Sequence, residues 1–397
     1  MHTASALLLC SKRDQFPMPV EPSASPRRAN PFHLFILAPL ALALVLAGRR
    51  VGEGFDPAPL PTGAAHLGPS AKAEEEHQAV LGASERIGEG VLPGPEDFAY
   101  DEEEALLYTG CEDGWIRRLR LGSPEKDAAA VVVEDWVRVG GRPLGVALAP
   151  DGGLVVAESS QGLLKVNKDG EVKLLTSGAE GRSFKLTDGV DVASNGVIYF
   201  TDASYKYDLM EHHLDIFEGR PYGRLLSFDP STNQTTVLAR DLYFANGVSL
   251  SSDQKSIIFC ETPLRRCRRY YIEGEKKGKV EGFVENLPGF PDNIRYDGKG
   301  RYWIALAAGR SLFWDLLMKY PLLRKLKVNF GLHVRVPSFG NSGLLGVSLR
   351  GKPVALLKDA DLSLVTVGQQ IGKHLYFGSL VESHVLRVDV SKLVKER

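Results

Sequence analysis

Four short stretches of the chain carry hard oxygen donors in the same local setting. "GFPDNI" supplies Asp292 and Asn293, "FANGV" supplies Asn246, "GPEDF" supplies Glu96 and Asp97, and "LTDGV" supplies Thr187 and Asp188. A lone Asn or Asp there closes a strand-entry turn through side-chain to backbone hydrogen bonds. Four such stretches in register argue for something more. Carboxylate and carboxamide oxygens aimed at one point suit a hard cation such as Ca²⁺, which takes about six to eight oxygens in loose geometry. The expectation is a Ca²⁺-type site drawn from the channel-facing Glu96, Asp97, Thr187, Asp188, Asn246, Asp292 and Asn293. Other catalytic signatures are missing: no GxSxG elbow, HExxH pair, CxxC motif or phosphate-binding loop. His212 and His213, in "SYKYDLMEHHLDIFEGRPY", are the histidines with a claim to the channel mouth.

The element that must position these oxygens is a repeat. Each member is a short apolar alternation, a polar turn often carrying Gly, and an apolar or aromatic run. Members begin at Glu96, Gly145, Gly189, Gly247, Asn293 and Thr366. A period near 40 to 50 residues with about four short strands per unit predicts an all-β, six-bladed β-propeller. Each blade is too small to bury its own faces, so blades stack around a channel. In each member the donors precede the innermost strand, at the channel mouth. Two long intervals carry helical insertions, one around His212 and one at "SLFWDLLMKYPLLRKLKV". In the second, Leu312, Phe313, Leu316, Leu317 and Tyr320 share a helical face, broken at Pro321. Residues 311–328 read either as an interfacial membrane helix or as a helix packed on the propeller with its lysines and arginines solvated.

The chain has 397 residues and a formal net charge of -1, so no concentrated basic surface draws it to nucleic acid. Residues 32–48, "FHLFILAPLALALVLAG", lack acidic and strongly basic groups and predict a membrane segment. Lys12, Arg13, Arg27 and Arg28 precede it, favouring residues 1–31 as a cytosolic tail. An uncleaved type II signal anchor is preferred, a cleaved signal peptide being the alternative. Residues 49–84 read as a linker and 85–397 as the propeller, lumenal in the secretory pathway, with endoplasmic reticulum, another endomembrane or the vacuole as its place. Asn233 in "NQT" is an N-glycosylation acceptor in a polar turn. Cys260 and Cys267 either pair across a hairpin or stand as two reduced buried thiols.

Taken together, "GPEDFAYD", "YTGCEDGWIRRL", "RPLGVAL", "IYFTDAS", "GRLLSFDP", "FANGVSLS", "LPGFPDNI" and "LYFGSL" resemble the strictosidine synthase-like family and the related adipocyte plasma membrane-associated proteins, over roughly residues 85 to 390. That family is similar in fold to calcium-dependent lactonases and phosphotriesterases. The resemblance implies an axial metal on Glu96, Asn246, Asp292 and Asn293. It also implies departures. Thr187 stands where the superfamily usually has Asn, and Leu144 stands where lactonases carry a channel-facing His base. True strictosidine synthases use a sixth-blade Glu; residues 359–381 contain none, and Gln369 and Gln370 lie near its expected place. The implied functions are a metal-assisted hydrolase of small esters or lactones, or a propeller that binds a small molecule or protein without chemistry. Amine–aldehyde condensation is disfavoured.

Overall fold

The computed structural model describes residues 54–61, 69–78, 80–121, 131–329 and 340–392. The apolar run 32–48 and the tail before it lie outside them. Among the described residues no helix is long and apolar enough to cross a membrane.

Six antiparallel sheets, blades 1 to 6, follow one another along the chain. Their inner strands are Phe98–Asp101, Pro143–Leu148, Thr187–Val192, Ala245–Leu250, Gly289–Tyr296 and Val365–Ile371. The second strand of a blade, such as Leu154–Glu158 or Ile198–Asp202, is buried on both faces, which is why it reads as a continuous apolar run. The core is divided between neighbouring blades. Phe200 and Phe228 of blade 3 pack against Val155 and Leu163 of blade 2. Phe98 and Leu107 of blade 1 pack against Val367 and Tyr376 of blade 6, so the ring closes.

Part of the stretch expected to be a linker is built into that ring. Ser84–Ile87 pairs antiparallel with Val385–Asp389 and becomes the outer strand of blade 6. Glu75–His77 adds to blade 5, parallel to Pro353–Asp359, and Val80 between them is buried. Joining an early strand to the last blade ties the two ends of the sheet array together, so unravelling requires breaking a ladder.

Three helices cover one end of the channel: α1 (His212–Glu218), α2 (Leu312–Lys319) and α3 (Pro321–Asn329). Ser311 caps α2, its hydroxyl accepting from Trp314 N at 3.2 Å. The buried face of α2 differs from the expected stripe: Trp314, Leu317 and Met318 face inward, while Leu312, Phe313, Leu316 and Tyr320 are exposed. The reason is the partner surface. Trp314 stacks on Phe290 of blade 5 at 5.0 Å and on Phe217 of α1 at 5.8 Å, which fixes the rotation of the helix. Nor are all basic residues solvated. Arg324 is fully buried and donates to Phe217 O at 2.9 Å and to Ala58 O. Residues 54–60 thus strap the helices down, with Asp56 N donating to Glu218 at 2.8 Å.

Candidate metal centre and channel cavity

Why do the donors face the axis? In blades 2 to 5 the inner strand carries a β-bulge at that point. Thr187 pairs with Asp202 and Val190 with Phe200, leaving one extra residue on the inner strand. The same slip separates Ala245 from Val248, Pro291 from Ile294, and Pro143 from Val146. A bulge re-aims a side chain that regular pleating would send into the core. In blades 2, 3 and 4 the residue after the aimed one is a glycine, which lets the next blade approach. A Cβ on Gly145 would lie 2.4 Å from Asp188 O, and one on Gly247 2.4 Å from Asn293 Cα. Both are closer than atoms tolerate, so only Gly fits where bulge packs on bulge.

The cavity beneath the helices has a volume of about 380 Å³, and Glu96, Asp188, Asn246 and Asp292 form its polar floor. Asn293 donates through Nδ2 to Glu96 Oε1 at 2.8 Å, joining blade 5 to blade 1. Asn246 donates to Thr262 Oγ1 at 3.3 Å. Of the expected ligands the floor thus gathers Glu96, Asn246 and Asp292, while Asn293 does not line the cavity and reaches it through its hydrogen bond to Glu96. Thr187 is buried beside it but does not line the cavity, whereas Asp188 does. Asp97, next to Glu96, turns away and pairs with Arg295, which donates through Nε to Asp97 Oδ1 at 3.0 Å. Arg295 also donates to Val146 O at 2.9 Å and Val190 O at 3.2 Å, bracing the inner strands below the floor. The sequence reading missed this residue. Its signal was a charged side chain two positions beyond Asn293, at the register where blade 3 carries Asp191.

The floor holds more negative charge than it can comfortably bear. Burial, then the charges of Asp292, Asp97 and Asp188, push Glu96 well above the usual carboxylate range, with Arg142 opposing. Burial, then Asp292, Asp97 and Asp202, do the same to Asp188. Asp292 is pushed up to about 7, chiefly by burial. Glu96 Oε2, Asn246 Oδ1 and Thr187 Oγ1 are buried without a hydrogen-bond partner. An unpartnered buried oxygen is costly, and a cation would satisfy several at once. No group of three or more His, Cys, Asp and Glu among the described residues is arranged to hold a metal by itself. The candidate donors are instead mixed, carboxamide oxygens standing beside the carboxyl groups. Oxygen donors of this kind suit a hard cation such as Ca²⁺ better than zinc.

Family profiles described as "Strictosidine synthase-like, N-terminal" and "Strictosidine synthase" match residues 79–119 and 188–275. Protein strictosidine synthase-like 7 of Arabidopsis thaliana is 48% identical over 361 residues, covering 90% of this chain and 95% of the relative. The adipocyte plasma membrane-associated protein of Bos taurus is 34% identical over 377 residues, covering 89% and 88%. The chain belongs to the strictosidine synthase-like family. A gluconolactonase from Xanthomonas campestris shares the fold with a TM-score of 0.55 at 16% identity, covering 81% of this chain and 97% of that one. So does regucalcin, a calcium-binding protein from Agrobacterium tumefaciens, with a TM-score of 0.55 at 13% identity and coverages of 81% and 96%.

Within this strictosidine synthase-like propeller, the walls are apolar. Leu144, Leu186 and Phe244 pack together with Leu209 and Ile216 of the lid insertion. Blade 6 offers the cavity Leu364, Thr366 and Leu380, and no acid. Gln369 and Gln370 are not at the cavity, contrary to their expected place. Gln369 lines a hollow at the opposite end of the channel with Arg295, and Gln370 accepts from Trp303 Nε1 at 3.1 Å. The extra distance follows from strand geometry: three to four residues past Thr366 carry the chain about 10–14 Å down the axis. His212 lines the cavity, while His213 is exposed and outside it. Cys260 and Cys267, directly opposite on neighbouring strands of blade 4, are disulfide-bonded. Asn233 sits exposed in a turn with φ 53°.

Proposed function

We propose that the protein is a metal-assisted hydrolase of small esters or lactones, acting in the axial cavity. The observation that carries this reading is the floor itself. Mutually repelling carboxyl groups and unpartnered oxygens lie under an apolar chamber of about 380 Å³, a size suited to one small organic molecule. Glu96, Asn246, Asp292 and Asn293 would hold the cation, Ca²⁺ by donor chemistry, and the calcium binding named for the regucalcin neighbour supports that choice. When bound, such a cation polarises an ester carbonyl and lowers the pKa of water beside it. The chain's own residues do the rest. Leu144, Leu186 and Phe244 take up the apolar part of the substrate. Trp314 and the lid helices limit the entry of bulk water, and a drier site strengthens every polar contact to the carbonyl. The gluconolactonase likeness supports the reaction class without naming a substrate.

A second reading is favoured by Leu144 and the acid-free sixth blade: a propeller that binds a small molecule and does no chemistry. Both readings place the propeller in the lumen of the secretory pathway, anchored through residues 32–48, at the endoplasmic reticulum or another endomembrane. The disulfide and the exposed Asn233 sequon support an oxidising, glycosylating compartment. Calorimetric titration with Ca²⁺ beside a panel of aryl esters and lactones separates the readings. Turnover abolished by Asp292→Ala supports the hydrolase. Calcium binding without turnover supports the binder, and neither binding nor turnover sinks the metal centre.

A further inference from the structure

Hydrolysis needs a group to take a proton from water, and Leu144 cannot do so. On the lid side of the cavity stands His212, the histidine among its lining residues. It opens α1 and closes the short turn Leu209–Glu211. Asp208 caps that turn, accepting from Met210 N at 2.9 Å and Glu211 N at 3.1 Å. The turn presents Leu209 O to His212 Nδ1 at 2.6 Å. A carbonyl oxygen only accepts, so Nδ1 carries the proton and Nε2 keeps its lone pair. The ring is thus held in the tautomer a base requires, on the wall that faces the acidic floor.

We propose that His212 is the general base and acid of ester or lactone hydrolysis in this cavity; the inference rests on the hydrolase reading above. Nε2 takes a proton from water as the water oxygen bonds to the carbonyl carbon and the carbonyl electron pair moves onto oxygen. On collapse of that intermediate the ester C–O bond breaks, and the proton on Nε2 passes to the leaving alkoxide. Ester and water become acid and alcohol, and His212 ends as it began. The charged groups around it are Glu211 and His213 on its own segment, Glu96, Asp188 and Asp292 on the floor, and Lys327 of α3 beyond His213.

The test uses the full chain in detergent micelles with Ca²⁺ and the ester or lactone it turns over fastest. His212→Gln should lower kcat by about 10²–10⁴-fold with KM little changed. His212→Ala should regain activity when imidazole is added. His213→Gln should match the parent, and calcium affinity and melting temperature of His212→Gln should be unchanged. Parent-like kcat in His212→Gln, or no imidazole rescue of His212→Ala, overturns the role of His212 and leaves the hydrolase standing. A parent protein that binds Ca²⁺ but hydrolyses nothing overturns the hydrolase reading and this role together.

Discussion

Replacing Asp292 with Asn should stabilise the cation-free protein at pH 8 and at the same time remove the stabilisation that calcium gives. Burial holds the Asp292 carboxyl up to about 7, against an ordinary 3.8 in an unfolded chain. The folded-state value is the higher one. The stability this group contributes is therefore fully present below about pH 4 and is lost as pH rises through about 7. A gap of roughly three pH units, at about 1.36 kcal/mol each, sets a ceiling of about 4 kcal/mol on the penalty at pH 8. Asn at position 292 cannot ionise, and it keeps an oxygen and similar bulk. Glu96 and Asp188, both pushed up by the Asp292 charge, are relieved as well.

The expected gain for Asp292→Asn is about 1–4 kcal/mol at pH 8, shrinking to within about 0.5 kcal/mol at pH 4, where the parent carboxyl is protonated. Urea denaturation in EDTA at the two pH values measures it. Adding calcium at a hundredfold excess over its Kd should stabilise the parent by about 2.7 kcal/mol and the variant far less. A variant less stable than the parent at pH 8 in EDTA, together with a parent indifferent to calcium, would refute the claim that the floor is a charge-strained cation site.

Gly247→Ala should weaken calcium binding at least tenfold and cost about 1–3 kcal/mol, because the new Cβ meets the backbone of Asp292 and Asn293. Gly82→Ala, which meets nothing within 4 Å, should leave both calcium titration and urea midpoint unchanged. Asp97→Ala should cost about 3–5 kcal/mol in urea denaturation by leaving the Arg295 guanidinium buried and unpaired, and Asp97→Ala with Arg295→Met should recover part of that loss. Cys260→Ser with Cys267→Ser should lower stability by about 2.5 kcal/mol, the loop entropy of so short a span, with a matching effect of reductant on the parent and none on the variant.

The site was legible because the bulge and its packing impose residue types at fixed places. "DGV" and "NGV" each record an aimed donor, the glycine on which the next blade packs, and the return of the alternation. That grammar repeats with the blades, so finding the period also found Asp188 and Asn246. "DNI" departs from it, since Asn293 occupies the glycine position. There the side chain has room, and it uses that room to reach across to Glu96.

What the sequence concealed depends on distant partners. "EEH" and "SERI" are too short and too polar to announce strands, and they become strands only because blades 5 and 6 offer open edges. The rotation of α2 was misjudged for a related reason. Helical periodicity finds the most apolar stripe, but Trp314 is drawn inward by Phe290 and Phe217, at the expense of Leu312 and Phe313. Arg324 is buried against expectation, and Arg295 is buried where no role was foreseen, because carbonyl oxygens and a carboxylate from other segments converge on them. His212 sits between the two cases. Its presence in the lid was visible, but its value as a base depends on a three-residue turn that delivers one carbonyl to Nδ1. Lengthening or unwinding that turn, while leaving every cavity residue in place, should therefore cost activity as the loss of the ring itself would.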